Sequence, residues 1–233
     1  DDLVYKDSLY DKNSSALPMG ICEEFQNNII SLFGLSKSYS LSALRTGFIV
    51  ANEYIIQDIR DNLFLELDSI SMINQISLAS VFNNQKKRIR YRGKFLKKIN
   101  EKYMFNLEIV KYFIIGEKNV SRKTKRYIES KMTKENLNMC KNGIKNVNFY
   151  HDFLPESGFF ALIDFTKLKG KKIDGSIINN DRDLIISLFK KSKIKFLPGS
   201  SFGWQNDNEI IGRITFSQEP TILIKNLSLL SKI

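Results

Sequence analysis

Histidine and tryptophan occur once each in this 233-residue chain, cysteine twice and proline four times. With one histidine, a His/Cys zinc centre has almost no ligands to draw on, and Cys22 and Cys140 lie far apart without metal-ligand spacing, so no metal site is expected. His151 has no acid or nucleophile nearby in sequence and reads as a surface or turn residue. Two isolated cysteines fit free thiols in a reducing compartment, which sets the expectation of a cytoplasmic protein. Long apolar runs are missing, as is a charged-then-apolar leader, so no membrane partner is expected. Gly-rich nucleotide signatures and internal repeats are also lacking. The chain opens on Asp1-Asp2 in mid-structure, and an N-terminally incomplete chain is expected.

What is present is globular: 42% hydrophobic and 12% aromatic residues give ample core material. The net charge is +11 and the pI about 9.5. The basic residues read as spread along the chain, without a nucleic-acid-binding motif. Arg88-Ile89-Arg90-Tyr91-Arg92 interleaves cations with an aromatic, but a solvated helix face explains it, and no nucleic-acid partner is expected.

Periodicity places the elements. Ile29 to Phe33 reads as a buried strand and Phe48 to Ala51 as another. Helices are expected over Glu53 to Leu65, Asp68 to Phe82 and, longest, Gln85 to Ile115, with Gly93 a possible kink. Residues 117–145 are polar and basic, with one amphipathic helix ending at Gly143. Asn146 to Tyr150 and Gly158 to Phe165 read as strands, Lys167 to Ile178 as a turn-rich basic loop, and Asp181 to Lys191 as a helix capped by Asp181. A short strand at Ile194 to Leu197 and a helix from Thr221 to Leu230 close the chain.

The strand at Ile29 to Phe33 leads into Gly34-Leu35-Ser36-Lys37-Ser38, which reads as a small polar loop, and Arg45-Thr46-Gly47 follows. A lysine at the end of a buried strand is costly without a role. Desolvation favours the neutral amine, which can attack a carbonyl to form a Schiff base. Arg45 offers a planar cationic fork suited to phosphate. Ser36-Lys37 with Leu44-Arg45-Thr46-Gly47-Phe48 resembles the lysine motif of fold-type I, pyridoxal-phosphate-dependent class I/II aminotransferases. The position three before the lysine is usually serine there and is Gly34 here, leaving Ser36, Ser38 and Arg45 as phosphate candidates.

Three further matches follow the family's order. Asp2 and Tyr5 have the spacing of its Asp-x-x-Tyr, in which the carboxylate keeps the cofactor's ring nitrogen protonated and the phenol faces its 3-oxygen. Gly158-Phe159-Phe160 resembles a strand of the small domain. Pro198-Gly199-Ser200-Ser201-Phe202-Gly203, followed by Arg213 on a strand, resembles the loop and arginine that clamp a substrate α-carboxylate; the alternative is an ordinary edge-strand arginine.

The resemblance implies an α/β fold: the C-terminal part of a pyridoxal-phosphate-dependent large domain with a mixed, mostly parallel sheet (1–92), plus a small α+β C-terminal domain (93–233) carrying the basic helical segment 117–145. It implies pyridoxal 5'-phosphate as cofactor, Lys37 as the catalytic lysine, Asp2, Tyr5, Ser36, Lys37 and Arg45 around the cofactor, and Arg213 on the substrate. The implied reaction transfers an amino group between an amino acid and a 2-oxo acid, in a homodimer when the full chain is present. C–S lyase or synthase chemistry, and a non-catalytic fragment, are the alternatives.

Overall fold

A computed structural model describes every residue except 12, 14, 40, 68–70, 84 and 233; the side chains at 67, 81, 85–89 and 91 also lie outside the description. The first residues of the helix expected from Asp68, and the side chains of Arg88, Ile89 and Tyr91 in the basic run, therefore lie outside the described residues. The chain divides into two compact units, Asp1–Glu101 with Glu156–Gly158, and Lys102–Pro155 with Phe159–Ile233. The division thus falls within the long helix, later than position 92.

The first unit is built on one hairpin. Strand β1 (Ser31–Gly34) runs into a four-residue helix, α1 (Leu35–Ser38), and then pairs antiparallel with β2 (Gly47–Val50). Leu3 N–H donates to the Leu32 carbonyl at 2.9 Å and Leu32 N–H to the Asp1 carbonyl at 2.8 Å, forming a parallel bridge between Asp2 and Leu32. Among the described residues this bridge is the whole parallel component; every ladder is antiparallel. Residues 4–7 form a turn. Helices α2 (Glu53–Leu67), α3 (Met72–Phe82) and α4 (Gln85–Ile115) follow, the last running unbroken through Gly93. Residues 156–158 join this unit because Tyr10 N–H donates to the Glu156 carbonyl and its hydroxyl to the Gly158 carbonyl.

The expectation of a buried strand is corrected here. Leu32 is 42% exposed and Val50 55% exposed. A two-stranded hairpin covers neither of its own faces, and among the described apolar side chains of this unit only Leu3 and Leu35 are buried.

The second unit holds the core. After α4 come α5 (Arg122–Glu129) and α6 (Lys134–Cys140), two helices where one is expected; Thr133 stops the first register by capping the second, accepting from Asn136 N–H. A four-stranded antiparallel sheet is ordered β3 (Asn148–Phe149), β4 (Phe160–Asp164), β8 (Ile211–Thr215), β7 (Leu197–Pro198). The basic loop at 167–178 contains a small hairpin, β5 (Lys172–Ile173) with β6 (Ser176–Ile177). Helices α7 (Asp181–Ser192) and α8 (Pro220–Leu230) complete the unit. The cap of α7 is Asn180, which accepts from Asp183 N–H, while the Asp181 carboxylate accepts from Ser200.

Ile109, Val110 and Phe113 of α4, Ile163 of β4, Leu184 and Leu188 of α7 and Leu227 of α8 are buried in this unit. Fully buried Asn106 donates to the carbonyls of Phe216 and Gln218 and so anchors the segment leaving β8. The positive charge is not evenly spread. The first unit carries 13 Lys/Arg against 13 Asp/Glu, and the second 23 against 12.

Candidate active site

In the first unit, the strand-to-helix junction sets the geometry. β1 ends at Gly34, and α1 begins at once, so Lys37 lies on the first helical turn rather than in a loop. The turn at residues 4–7 brings the Tyr5 ring to Lys37, whose ammonium nitrogen lies 5.8 Å from the ring centroid. Asp2 heads the segment bridged to Leu32 and is exposed; its Oδ1 accepts from Val4 N–H at 3.0 Å, leaving Oδ2 for another partner. Half-buried Ser36 precedes Lys37, whereas Ser38 is buried.

The loop after α1 folds back on the junction: Leu35 N–H donates to the Thr46 carbonyl at 3.4 Å. Arg45, next to Thr46, is exposed and adopts φ 49°, ψ 41°, a left-handed conformation costly for a residue with a β-carbon. Its Nη1 donates to the Ser42 carbonyl at 3.3 Å. Gly47 completes the motif for a steric reason: a β-carbon there would stand 2.5 Å from the Phe33 carbonyl oxygen.

Gly34 has its own reason. A β-carbon at this position would lie 2.9 Å from Val4 Cγ2 and 3.1 Å from Cγ1. Val4 packs where the usual serine side chain would stand, so the departure from the motif and the residue before Tyr5 belong together.

Arg213 belongs to the second unit. Its strand, β8, is hydrogen-bonded on both sides, with Arg213 facing Leu162 of β4 and Leu197 of β7, so it is not an edge-strand arginine. The guanidinium lies over the Phe160 ring at 4.4 Å and near that of Phe202 at 5.6 Å. Among the described residues no carboxylate or carbonyl accepts from it. A half-buried planar cation with aromatic neighbours and open N–H donors is suited to an incoming carboxylate. His151 is exposed with φ 48°, in a turn as expected. Trp204 donates to Glu209 and packs edge-on against Tyr150, which gives it a structural role.

Sequence reasoning missed Asp7, Arg92 and Tyr39 around α1, and the two phenylalanines beside Arg213. The phenylalanines lie inside the quoted motifs; the Asp7–Arg92 pair is separated by 85 positions and leaves no local signal. Among the described residues no group of acidic, cysteine and histidine side chains can hold a metal, and no helix is long and apolar enough to cross a membrane.

No protein-family model matches the chain, and no curated protein matches it in sequence. Solved structures match its fold. The aspartate aminotransferase from Rhizobium meliloti is 19% identical with a TM-score of 0.67, over 98% of this chain and 47% of its own. The aromatic aminotransferase from Pyrococcus horikoshii OT3 is 16% identical with a TM-score of 0.68, over 99% and 49%. An Escherichia coli protein with methionine aminotransferase function is 17% identical with a TM-score of 0.62, over 100% and 49%. The chain spans about half the length of the solved structures it matches. Its fold is that of the C-terminal half of the fold-type I aminotransferases.

Proposed function

We propose that this chain supplies half of the active site of a pyridoxal-phosphate-dependent aminotransferase, acting on an amino acid and a 2-oxo acid. The observation that carries the reading is Lys37 on the turn after β1 with the Tyr5 ring beside it, the Asp2 segment being bridged to that strand.

The residues fit the cofactor. Lys37 would hold its aldehyde, Asp2 its ring nitrogen, and Tyr5 its ring oxygen. Ser36 and Arg45 would face the phosphate, and the left-handed backbone at Arg45 is the kind of stored strain found at binding sites. The bound group supplies an electron sink that acidifies the substrate Cα–H. Lys37 Nζ would take that proton as general base and, as general acid, release it on the cofactor side rather than back to Cα, which makes the net change a transfer of the amino group. Asp2, as a carboxylate, keeps a cationic ring nitrogen favourable. Arg213, in the second unit, would offer its planar fork to a substrate carboxylate.

Mixing the chain with pyridoxal phosphate tests this. A protein-dependent near-visible absorbance band is expected in the wild type and absent in Lys37→Ala. Identical spectra for the two proteins would sink the reading.

A further inference from the structure

The two residues that follow Lys37 are both held by one ion pair. The Asp7 carboxylate is bonded to Arg92 of α4 and lies 3.5 Å from the Lys6 ammonium. Burial alone would raise the Asp7 carboxyl, but the hydroxyl of Ser38, the last residue of α1, together with Arg92 and Lys6, holds it below its ordinary value. Arg92 in turn donates through Nη1 to the Tyr39 hydroxyl at 3.2 Å and stacks over that ring at 4.4 Å. Asn100, two turns further along α4, donates to the carbonyls of Asp7 and Leu9. All of these groups belong to the first unit.

The turn at residues 4–7 therefore does two things at once. Its second residue, Tyr5, faces Lys37, and its last, Asp7, holds Ser38. An Arg–carboxylate pair at the surface contributes little, but a partly buried one with further hydrogen bonds fixes geometry. Here both members are shielded, with side chains 19% and 26% exposed, and the Arg92 Nε is buried without a partner. That orphaned donor is a cost that packing alone would avoid.

We propose that Asp7, gripped by Arg92, is a positioning residue for Lys37: it fixes the orientation of α1 through Ser38 and Tyr39, and so holds the amine against Tyr5. The inference rests on the cofactor reading above. Asp7 touches neither cofactor nor substrate, and it acts through the residues adjoining the lysine.

Reductive labelling separates the two ideas. The chain is treated with pyridoxal phosphate and borohydride, and the modified lysines are mapped by peptide mass spectrometry. The thermal midpoint of each untreated protein is measured alongside, and labelling is done well below it. The wild type is expected to be modified at Lys37 in preference to exposed lysines such as Lys98. Asp7→Asn is expected to reduce that preference by about tenfold or more, the scale of loss seen when a reacting group is misplaced. Ser38→Ala, a milder change that serves should Asp7→Asn fail to fold, is expected to reduce it by less, and Ser38→Thr, which keeps the hydroxyl, to restore it. A lowered midpoint with Lys37 preference intact in Asp7→Asn or Ser38→Ala means a merely structural pair and overturns the inference alone. Absence of preference in the wild type overturns the cofactor reading, and the inference with it.

Discussion

A single missing side chain shows how residue identity and motif are linked. Gly34 stands where the resembled family usually has serine, and the structure places Val4 over it. Introducing Gly34→Ser forces the new side chain against Val4, an overpacking that typically costs about 1–3 kcal/mol. Val4→Ala opens the space, so the double variant Val4→Ala/Gly34→Ser is expected to be more stable than the sum of the single changes predicts. Thermal midpoints of the four proteins form the cycle, and simple additivity would remove the proposed link. The sequence shows Gly34 as an exception but not its reason, because Val4 is thirty positions away. Lys37, Arg45 and Arg213 stand out as candidates because each sits in a short run whose types and order carry chemical meaning. Asp7 and Arg92 were not, since nothing local distinguishes them from surface charges.

At the scale of an element, local rules worked where an element stabilises itself. The long α4 and the helices α2, α7 and α8 show apolar spacing that survives in any context. The short elements depended on contacts from outside. α1 has four residues and reads as a polar loop. The expected single helix at 117–145 splits in two, because Thr133 caps a new start.

α5 illustrates how far such an outside contact reaches. Its cap, Ser121, accepts from Thr124 N–H, and both hydroxyls donate to Glu108 of α4, Ser121 at 2.5 Å. Burial alone would raise the Glu108 carboxyl, but the Ser121 and Thr124 hydroxyls, the Ser121 N–H and the charge of Lys111 hold it below its ordinary value of 4.5. A carboxyl lowered in the folded state adds stability at pH values above its unfolded value. That contribution disappears as the pH falls from about 4.5 through the lower folded value. Glu108→Gln is therefore expected to destabilise the protein near neutrality and to flatten the acid limb of stability below that point. Urea melts from pH 3 to pH 7 measure it. Parallel stability–pH curves for the two proteins would show that Glu108 is not tied to the cap in this way.

At the scale of the whole molecule, the two units differ in how they hold themselves together. The buried apolar side chains of the second unit come from α4 to α8, from its sheet and from connecting segments such as those holding Phe165, Ile178 and Phe216, whereas Leu3 and Leu35 are the only ones described in the first. Leu17, Met19, Ile21, Phe25, Phe64 and Ile73 of the first unit are exposed instead. Burial contributes roughly 25 cal/mol per Å² of apolar surface, so the unit with more buried side chains gains more from it. Charge divides in the same way: the first unit balances its ionised groups, and the excess of cations lies wholly in the second. Neither division was readable from composition, which averages over both. Stability should follow the buried area. Native-state hydrogen exchange is expected to show the slowest amides in β4, β8, α8 and the part of α4 beyond Lys102, exchanging only through global unfolding. The amides of β1 and β2 should open at lower free energy, through local unfolding of a hairpin whose second strand is exposed along its length. If the hairpin amides were as protected as those of β4 and β8, apolar burial would not be what sets stability in this chain.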